Sequence, residues 1–289
     1  MKIRNLSLEN PVFLAPMAEV NDIAFRVLCT RAGAGLAYTG MINPLARQKL
    51  ALDDRPAIQL FCISPKGVAE FIQKHERQAA LFDFNLGCPS RVAKKCGFGA
   101  FMHHRLGAIE EILKTMRHST DKPVTVKLRK SAQTLEILRM AEKYCDAIGI
   151  HPRTEQQGYS GEPDMAFALK LKKKTKLPVI YSGNVNGANA NALLKSFDFL
   201  MIGRSAMGHP EVFAEWQGKQ ASNAGFGFGD YLKLAMKYRI PLKQVRLQAI
   251  HFTSGREGAK EMRIGLMEAK TLDEIRGLAG FSGRLRARV

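Results

Sequence analysis

Eight short apolar runs recur along the first two hundred residues of this 289-residue chain, and their spacing constrains its fold more than any other feature. They are Val12–Met17, Leu36–Gly40, Ala57–Phe61, Phe82–Gly87, Val124–Leu128, Ala147–His151, Val179–Gly183 and Phe199–Gly203. Each is apolar at successive rather than alternate positions, as a parallel strand covered on both faces requires. Amphipathic helical patterns lie between them, at Gly67–Ala80, Ala108–Met116, Leu135–Tyr144, Met165–Lys174 and Ala188–Lys195. Seven of the eight runs have a plausible helix before the next, which predicts an α/β chain folded as a (β/α)8 TIM barrel over residues 1–217. A doubly wound open sheet is the competing topology. The absence of a GxGxxG sequence after the first run argues against it.

The pattern changes near Trp216. Residues 218–224 read as a polar linker, and residues 225–289 as a small all-α helical domain. Asp230 is placed to cap a helix reaching Arg239, which Pro241 would stop. Further helices are expected over Leu242–Phe252, Ala259–Glu268 and Leu272–Leu278. This segment carries 13 Lys and Arg against 6 Asp and Glu, and the end of the chain, Arg284–Arg288, is locally dense in arginine. The whole chain has a formal net charge of +18. An excess that large points to a polyanionic partner, of which nucleic acid is the commonest. No apolar run approaches the length of a membrane crossing, and the N-terminus lacks the pattern of a signal peptide. The five cysteines include no CxxC pair, which disfavours a disulfide framework or a metal site and fits a reducing cytoplasm. The expectation is a monomer with no metal and no membrane attachment.

In such barrels the active site is built at the C-terminal ends of the strands. The first run ends in Ala15, Pro16 and Met17. The third contains Gln59. The fourth ends at Asn85 and leads into Gly87, Cys88 and Pro89. The fifth contains Lys127, with Arg129 after it. The sixth ends at His151, followed by Arg153. The seventh ends at Gly183 and Asn184, and the eighth at Gly203 and Arg204. Polar residues converging from six strand ends are hard to explain by packing. Gly183, Gly203 and Arg204 suit a phosphate group, because glycine lets backbone N–H groups approach an anion and arginine adds a cationic fork. An inward lysine suits the electron-rich side of a reduced flavin, although a Schiff-base lysine would occupy the same place. Cys88, presented by a Gly-Cys-Pro turn, is a candidate general acid, and Asn85 a candidate substrate ligand.

These residues resemble the tRNA-dihydrouridine synthase family. The resemblance rests on Leu14–Ala18 with Asp22, Phe25 and Arg26; Gln59 and Leu60; Asn85–Pro89; Lys127–Arg129; His151–Thr154 with Gln157, Tyr159 and Gly161; Gly183 and Asn184; and Met201–Arg204. It implies FMN as bound cofactor, NADPH as reductant, and reduction of the C5–C6 bond of particular tRNA uridines. Hydride would reach C6, and Cys88 would protonate C5. Pro16, Met17, Gln59, Lys127, His151, Gly183, Asn184, Gly203 and Arg204 would hold the flavin. Asn85, Arg129 and Arg153 would face the substrate, and the helical domain would grip tRNA. The chain departs from the family pattern at Ala93 and Lys94, at Phe98 and at Pro152.

Two other readings compete. One is an FMN barrel acting on a free pyrimidine, like a dihydroorotate dehydrogenase, which the charge and the extra basic domain disfavour. The other is a non-catalytic RNA-binding module, which would have no use for polar groups at six strand ends.

Overall fold

The computed structural model describes residues 1–219 and 225–280. An N-terminal hairpin, β1 (Lys2–Ile3) and β2 (Leu6–Ser7), precedes eight parallel strands. These are β3 (Val12–Leu14), β4 (Leu36–Ala37), β5 (Ala57–Leu60), β6 (Leu81–Leu86), β7 (Val124–Arg129), β8 (Ala147–His151), β9 (Val179–Ser182) and β10 (Phe199–Ile202). Their order is β4-β3-β10-β9-β8-β7-β6-β5. Parallel bridges from Tyr38 to Ala57 and from Ile42 to Leu60 join β4 to β5 and close the barrel.

Every expected run is a strand, though most end a residue or more before the expected boundary, because the last residues of those runs, four of them glycines (Gly40, Gly87, Gly183 and Gly203), already lie in the loops. Strand alternation sorts the side chains into two cores. Phe82, Phe84 and Leu86 of β6 face the helices, whereas Phe13, Leu81, Ala147, Phe199 and Met201 fill the barrel. Ile3 and Leu8 of the hairpin segment pack on this inner cluster. The interior is thus apolar low down and becomes polar from Asp83 upward, which confines hydrogen-bonding chemistry to one end.

Seven of the eight strands are followed by α-helix. Residues 38–56, between β4 and β5, contain none. The helix after β3, α1 (Ile23–Arg31), gives little amphipathic signal because Ile23, Ala24, Phe25, Arg26, Leu28 and Cys29 are all buried. Its outer face is covered by α9 (Phe228–Lys237), so it has too little solvent face to write a 3.6-residue pattern. The helices α10 (Leu242–Phe252), α11 (Ala259–Glu268) and α12 (Leu272–Leu278) stand at the expected boundaries. Asp230 is not the cap expected of it. Gly227 takes that position, and Asp230 lies in the first turn of α9, bonded to Lys233 at 3.0 Å. A positive φ at Arg239 ends the helix before Pro241 is reached. Residues 220–224 of the expected linker and the Arg284–Arg288 cluster lie outside the described residues.

Asp22 joins the barrel to these helices. It caps α1 by accepting from Phe25 N at 3.0 Å. Its other oxygen accepts from Tyr231 Oη (3.1 Å), Gln244 Nε2 (3.3 Å) and Gln248 Nε2 (3.1 Å). Phe25 meets Phe252 edge-on at 6.5 Å beside this cluster. Among the described residues no helix is long and apolar enough to cross a membrane.

Candidate active site

At the end of β6 the chain turns at Gly87 and Cys88, and the backbone of that turn is tied at each step. Asn85 Oδ1 accepts from Gly87 N (3.1 Å) and Cys88 N (3.0 Å). Leu86 O pairs with His103 Nε2 at 2.7 Å, Gly87 O accepts from Arg129 Nε at 2.7 Å, and Cys88 O accepts from Ala100 N at 3.1 Å. Glycine is required at position 99, where φ is +65° and a Cβ would stand 2.7 Å from Cys88 O. With its backbone fixed, half-buried Cys88 holds its thiol 3.4 Å from Ser90 Oγ, and Ser90 caps the helix α3 (Arg91–Cys96). Burial raises the thiols of Cys29 and Cys145, and pushes that of Cys62 up to about 12.

Below the turn runs a chain of side chains. Asn85 Nδ2 donates to Gln59 Oε1 at 2.6 Å, Gln59 Nε2 donates to Asp83 Oδ2 at 2.6 Å, and Thr125 Oγ1 donates to Asp83 Oδ1 at 2.5 Å. Burial raises the Asp83 carboxyl to about 6, against the pull of these donors and of Lys127. Lys127 is lowered to about 8, first by burial and then by Arg129. Gly149 makes room for it, since a Cβ there would lie 3.1 Å from Lys127 Cγ. The ammonium reaches beneath the turn, 3.8 Å from where a Gly87 Cβ would stand. Asp83 and His103 were not among the residues expected from sequence. Asp83 had a signal: it is an acid two residues before Asn85 on the same strand, hence on the same inner face. His103 had none, because its partners are Leu86 and Ser131, the latter at 2.7 Å.

The remaining cations gather around His151. Its Nε2 accepts from Arg153 Nη1 at 3.0 Å, which places its own proton on Nδ1. Burial, then Lys127, Arg129, Arg153 and Arg204, push its pKa down to about 2, so the ring is neutral. Arg129 and Arg153, expected to face the substrate, are each 1% exposed. Arg129 donates to the carbonyls of Gly87, Thr154 and Gly158. Arg153 donates to Ser160 O, Gly161 O and Asn184 Oδ1. Both therefore hold loop 154–161 in place. The loop carries Tyr159, whose exposed ring is met by the guanidinium groups of Arg129 (5.2 Å) and Arg204 (5.0 Å). Gly183, at φ +137°, and Asn184, at φ +52°, turn the chain out of β9. Asn184 also donates to Glu162 at 2.9 Å. Gly203 precedes a single 3-10 turn, Arg204–Ala206, and Arg204 is exposed. Gly203 also borders Met17, whose Sδ lies 3.9 Å from where its Cβ would stand. Gln59 is 1% exposed, with both ends of its amide engaged inside the barrel.

Beside the mouth, a cleft of about 470 Å³ separates the barrel loops from the start of α10. Met17, Met41, Asp22, Lys49 and Gln244 are among its walls. Among the described residues there is no group of three or more metal-ligating side chains.

Residues 13–227 match the family model for dihydrouridine synthases (Dus). The chain is 33% identical over 236 residues to tRNA-dihydrouridine synthase B of Vibrio parahaemolyticus, covering 74% of this chain and 73% of that protein. It is 32% identical over 238 residues to tRNA-dihydrouridine synthase B of Escherichia coli K12, covering 75% and 74%. Among solved structures it resembles morphinone reductase in complex with tetrahydroNAD, with a TM-score of 0.52 at 14% identity over 76% of this chain and 90% of that one. It also resembles the 6-hydroxypseudooxynicotine amine oxidase of Pseudomonas geniculata N1, with a TM-score of 0.56 at 11% identity over 90% and 51%. At those identities the structural likeness speaks for the barrel fold alone.

Proposed function

The chain belongs to the dihydrouridine synthase family, and from that premise we propose how its barrel mouth makes dihydrouridine in tRNA with FMN and NADPH. The observation that carries the reading is the pairing of a presented thiol with four cations, Lys127, Arg129, Arg153 and Arg204, that outnumber the acids beside them, Asp83 and Glu162. Burial first, and then Lys127, Arg129, Arg153 and Arg204, keep His151 neutral. A mouth with that charge fits an anionic ligand such as a flavin phosphate and an electron-rich ring.

Lys127 and the free Nδ1–H of His151 would hold the flavin ring, and Pro16 and Met17 would lie along it. Arg204, Gly183 and Gly203 would receive the phosphate. Gln59 and Asn184 would act at one remove, since their amides are engaged by Asp83, Asn85, Arg153 and Glu162. Arg129 and Arg153 would likewise shape the site by fixing loop 154–161. When bound, FMN supplies the hydride for C6 of the uracil and is recharged by NADPH.

Everything else falls to the chain. Asn85 orients the pyrimidine with the Nδ2 hydrogen that its bond to Gln59 does not use and that only the weak acceptor Met41 Sδ meets, at 3.8 Å. Cys88 Sγ–H gives its proton to C5, and the Lys127 ammonium beneath the turn stabilises the thiolate left behind. The cleft between barrel and helices, whose wall residue Met41 meets Asn85, would be the approach of a flipped-out uridine to the mouth. We assign residues 1–217 to the catalytic barrel, 218–224 to the linker and 225–289 to a tRNA-gripping helical domain, with the chain acting as a monomer.

The test is incubation of purified protein with FMN, NADPH and tRNA transcribed without modification, read by nucleoside mass spectrometry. Dihydrouridine is the expected product. A protein that takes up no flavin, or that takes it up and forms no dihydrouridine, would refute the reading.

A further inference from the structure

Both ends of the side-chain series Asp83, Gln59, Asn85 are chemically one-sided. The ionised Asp83 carboxylate only accepts, and the backbone N–H groups of Gly87 and Cys88 only donate. Two amides lie between them, and an amide has one accepting and one donating end. Only one head-to-tail arrangement satisfies the whole series. Gln59 must turn its nitrogen to Asp83 (2.6 Å) and its oxygen to Asn85 Nδ2 (2.6 Å), and Asn85 must turn its oxygen to the turn (3.1 and 3.0 Å). Thr125 Oγ1 holds the other carboxylate oxygen at 2.5 Å. Asp83, Gln59 and Asn85 are all buried, so a break leaves a polar group without water to replace its partner.

One hydrogen is left over. Asn85 Nδ2 has a second N–H, and its neighbour is Met41 Sδ at 3.8 Å, on the wall of the cleft. A thioether is a weak acceptor that a carbonyl oxygen displaces. We propose that Asp83 is a positioning residue for the reaction. Through Gln59 it holds Asn85 so that the Cys88 turn is tied from below and the substrate meets Asn85 as a donor. A donor there donates to the carbonyl oxygen of a uracil and repels the exocyclic amine of a cytosine. The inference rests on the proposed function for its substrate, but the held turn is a property of the protein itself.

The mechanism makes unequal demands on two substitutions. Asp83→Ala removes the acceptor for Gln59. Asp83→Asn keeps one, because its oxygen can face Gln59 while its NH2 faces Thr125, whose hydroxyl turns to accept. With flavin-loaded enzyme and tRNA, Asp83→Ala should lower kcat about tenfold with little change in KM, and Asp83→Asn should stay within about threefold of the unsubstituted protein. Because Asp83 acts through Asn85, Asp83→Ala/Asn85→Ala should be no slower than Asn85→Ala alone. Two outcomes overturn the proposal: losses that multiply in the double variant, or Asp83→Asn as slow as Asp83→Ala. Should the alanine variant not fold, Gln59→Met cuts the same series one link nearer, with the same expected loss and the same non-additivity.

A second readout needs no turnover. Alkylation of Cys88 by iodoacetamide, followed on its own peptide to separate it from exposed Cys96, should change by at least about threefold in Asp83→Ala and stay near the unsubstituted rate in Asp83→Asn. Equal rates in all three proteins count against the held turn. If the unsubstituted protein formed no dihydrouridine, the proposed function would fail, and the alkylation rates would still decide the role of Asp83.

Discussion

The barrel mouth and the seam between barrel and helices are both rich in polar groups, and they handle charge in opposite ways. Beside the seam the buried charges of Arg26 and Asp22 meet matching groups. Arg26 forms a two-pronged bridge to Asp54, at 2.8 and 2.7 Å, with both side chains under a tenth exposed. Asp22 collects three neutral donors from two helices and a backbone N–H from a third. At the mouth, Arg129 and Arg153 are as deeply buried as Arg26 but meet carbonyl dipoles in place of carboxylates. Their hydrogen bonds go to neutral groups, Lys127 and Arg204 add to the charge, and the acids beside them, Asp83 and Glu162, are fewer than the cations. A surface meant to lock two parts together consumes its charge, whereas one meant to receive an anion keeps a surplus.

The sharpest way to break the comparison is to disable the mouth and leave the seam intact. Cys88→Ala should lower dihydrouridine formation on the order of 10²- to 10⁴-fold, while flavin content and tRNA affinity hold. Unchanged turnover would remove Cys88 as the acid. The complementary experiment removes the far side of the seam. A chain lacking residues 225–289 should bind tRNA about 100-fold more weakly at moderate salt and retain its flavin, and its affinity should vary less steeply with salt. Equal affinity with and without the segment would sink its assignment as the tRNA grip.

Smaller changes sharpen the contrast. Asp22→Ala should cost about 3 kcal/mol of stability in urea unfolding, because a helix cap is lost and Tyr231, Gln244 and Gln248 lose a shared acceptor. Flavin content of the folded fraction should not change. A loss of flavin at unchanged stability would show that the seam and the mouth are one network. The smallest expected effect concerns pH. The Asp83 carboxyl is raised to about 6, above its value in an unfolded chain, so the fold favours its protonated form. Its contribution to stability is therefore greatest below the ordinary carboxylate range and is lost as pH rises through about 6. Asp83→Asn should be more stable than the unsubstituted protein at pH 8 by about 1 kcal/mol, and should lose that advantage near pH 4. A difference that is constant across this range would place Asp83 in a more hydrated setting than its 1% exposure indicates.

The two regions were also unequally legible in the sequence. Parallel strands buried on both faces write themselves as short apolar runs. The eight runs, their order, and the strand-end positions of Asn85, Lys127, His151 and Arg204 could accordingly be read along the chain. The seam could not, because α1 is buried nearly all round, and a helix covered on both sides loses the periodicity by which it would be recognised. The single acid at Asp22 likewise gives no hint that its partners lie more than two hundred residues away.

Within the mouth, the sequence by itself determined which side chains stand at the open end of the barrel, since a period of two assigns each strand residue to the inner or the outer face. Only the tertiary structure decided what those side chains do for one another. Asp83 meets Gln59 from 24 residues away and Thr125 from 42, and Arg129 reaches back 42 residues to Gly87. Facing direction is a local property of a strand. Hydrogen-bond partnership is fixed by which strands lie side by side and in what register, and barrel closure sets both.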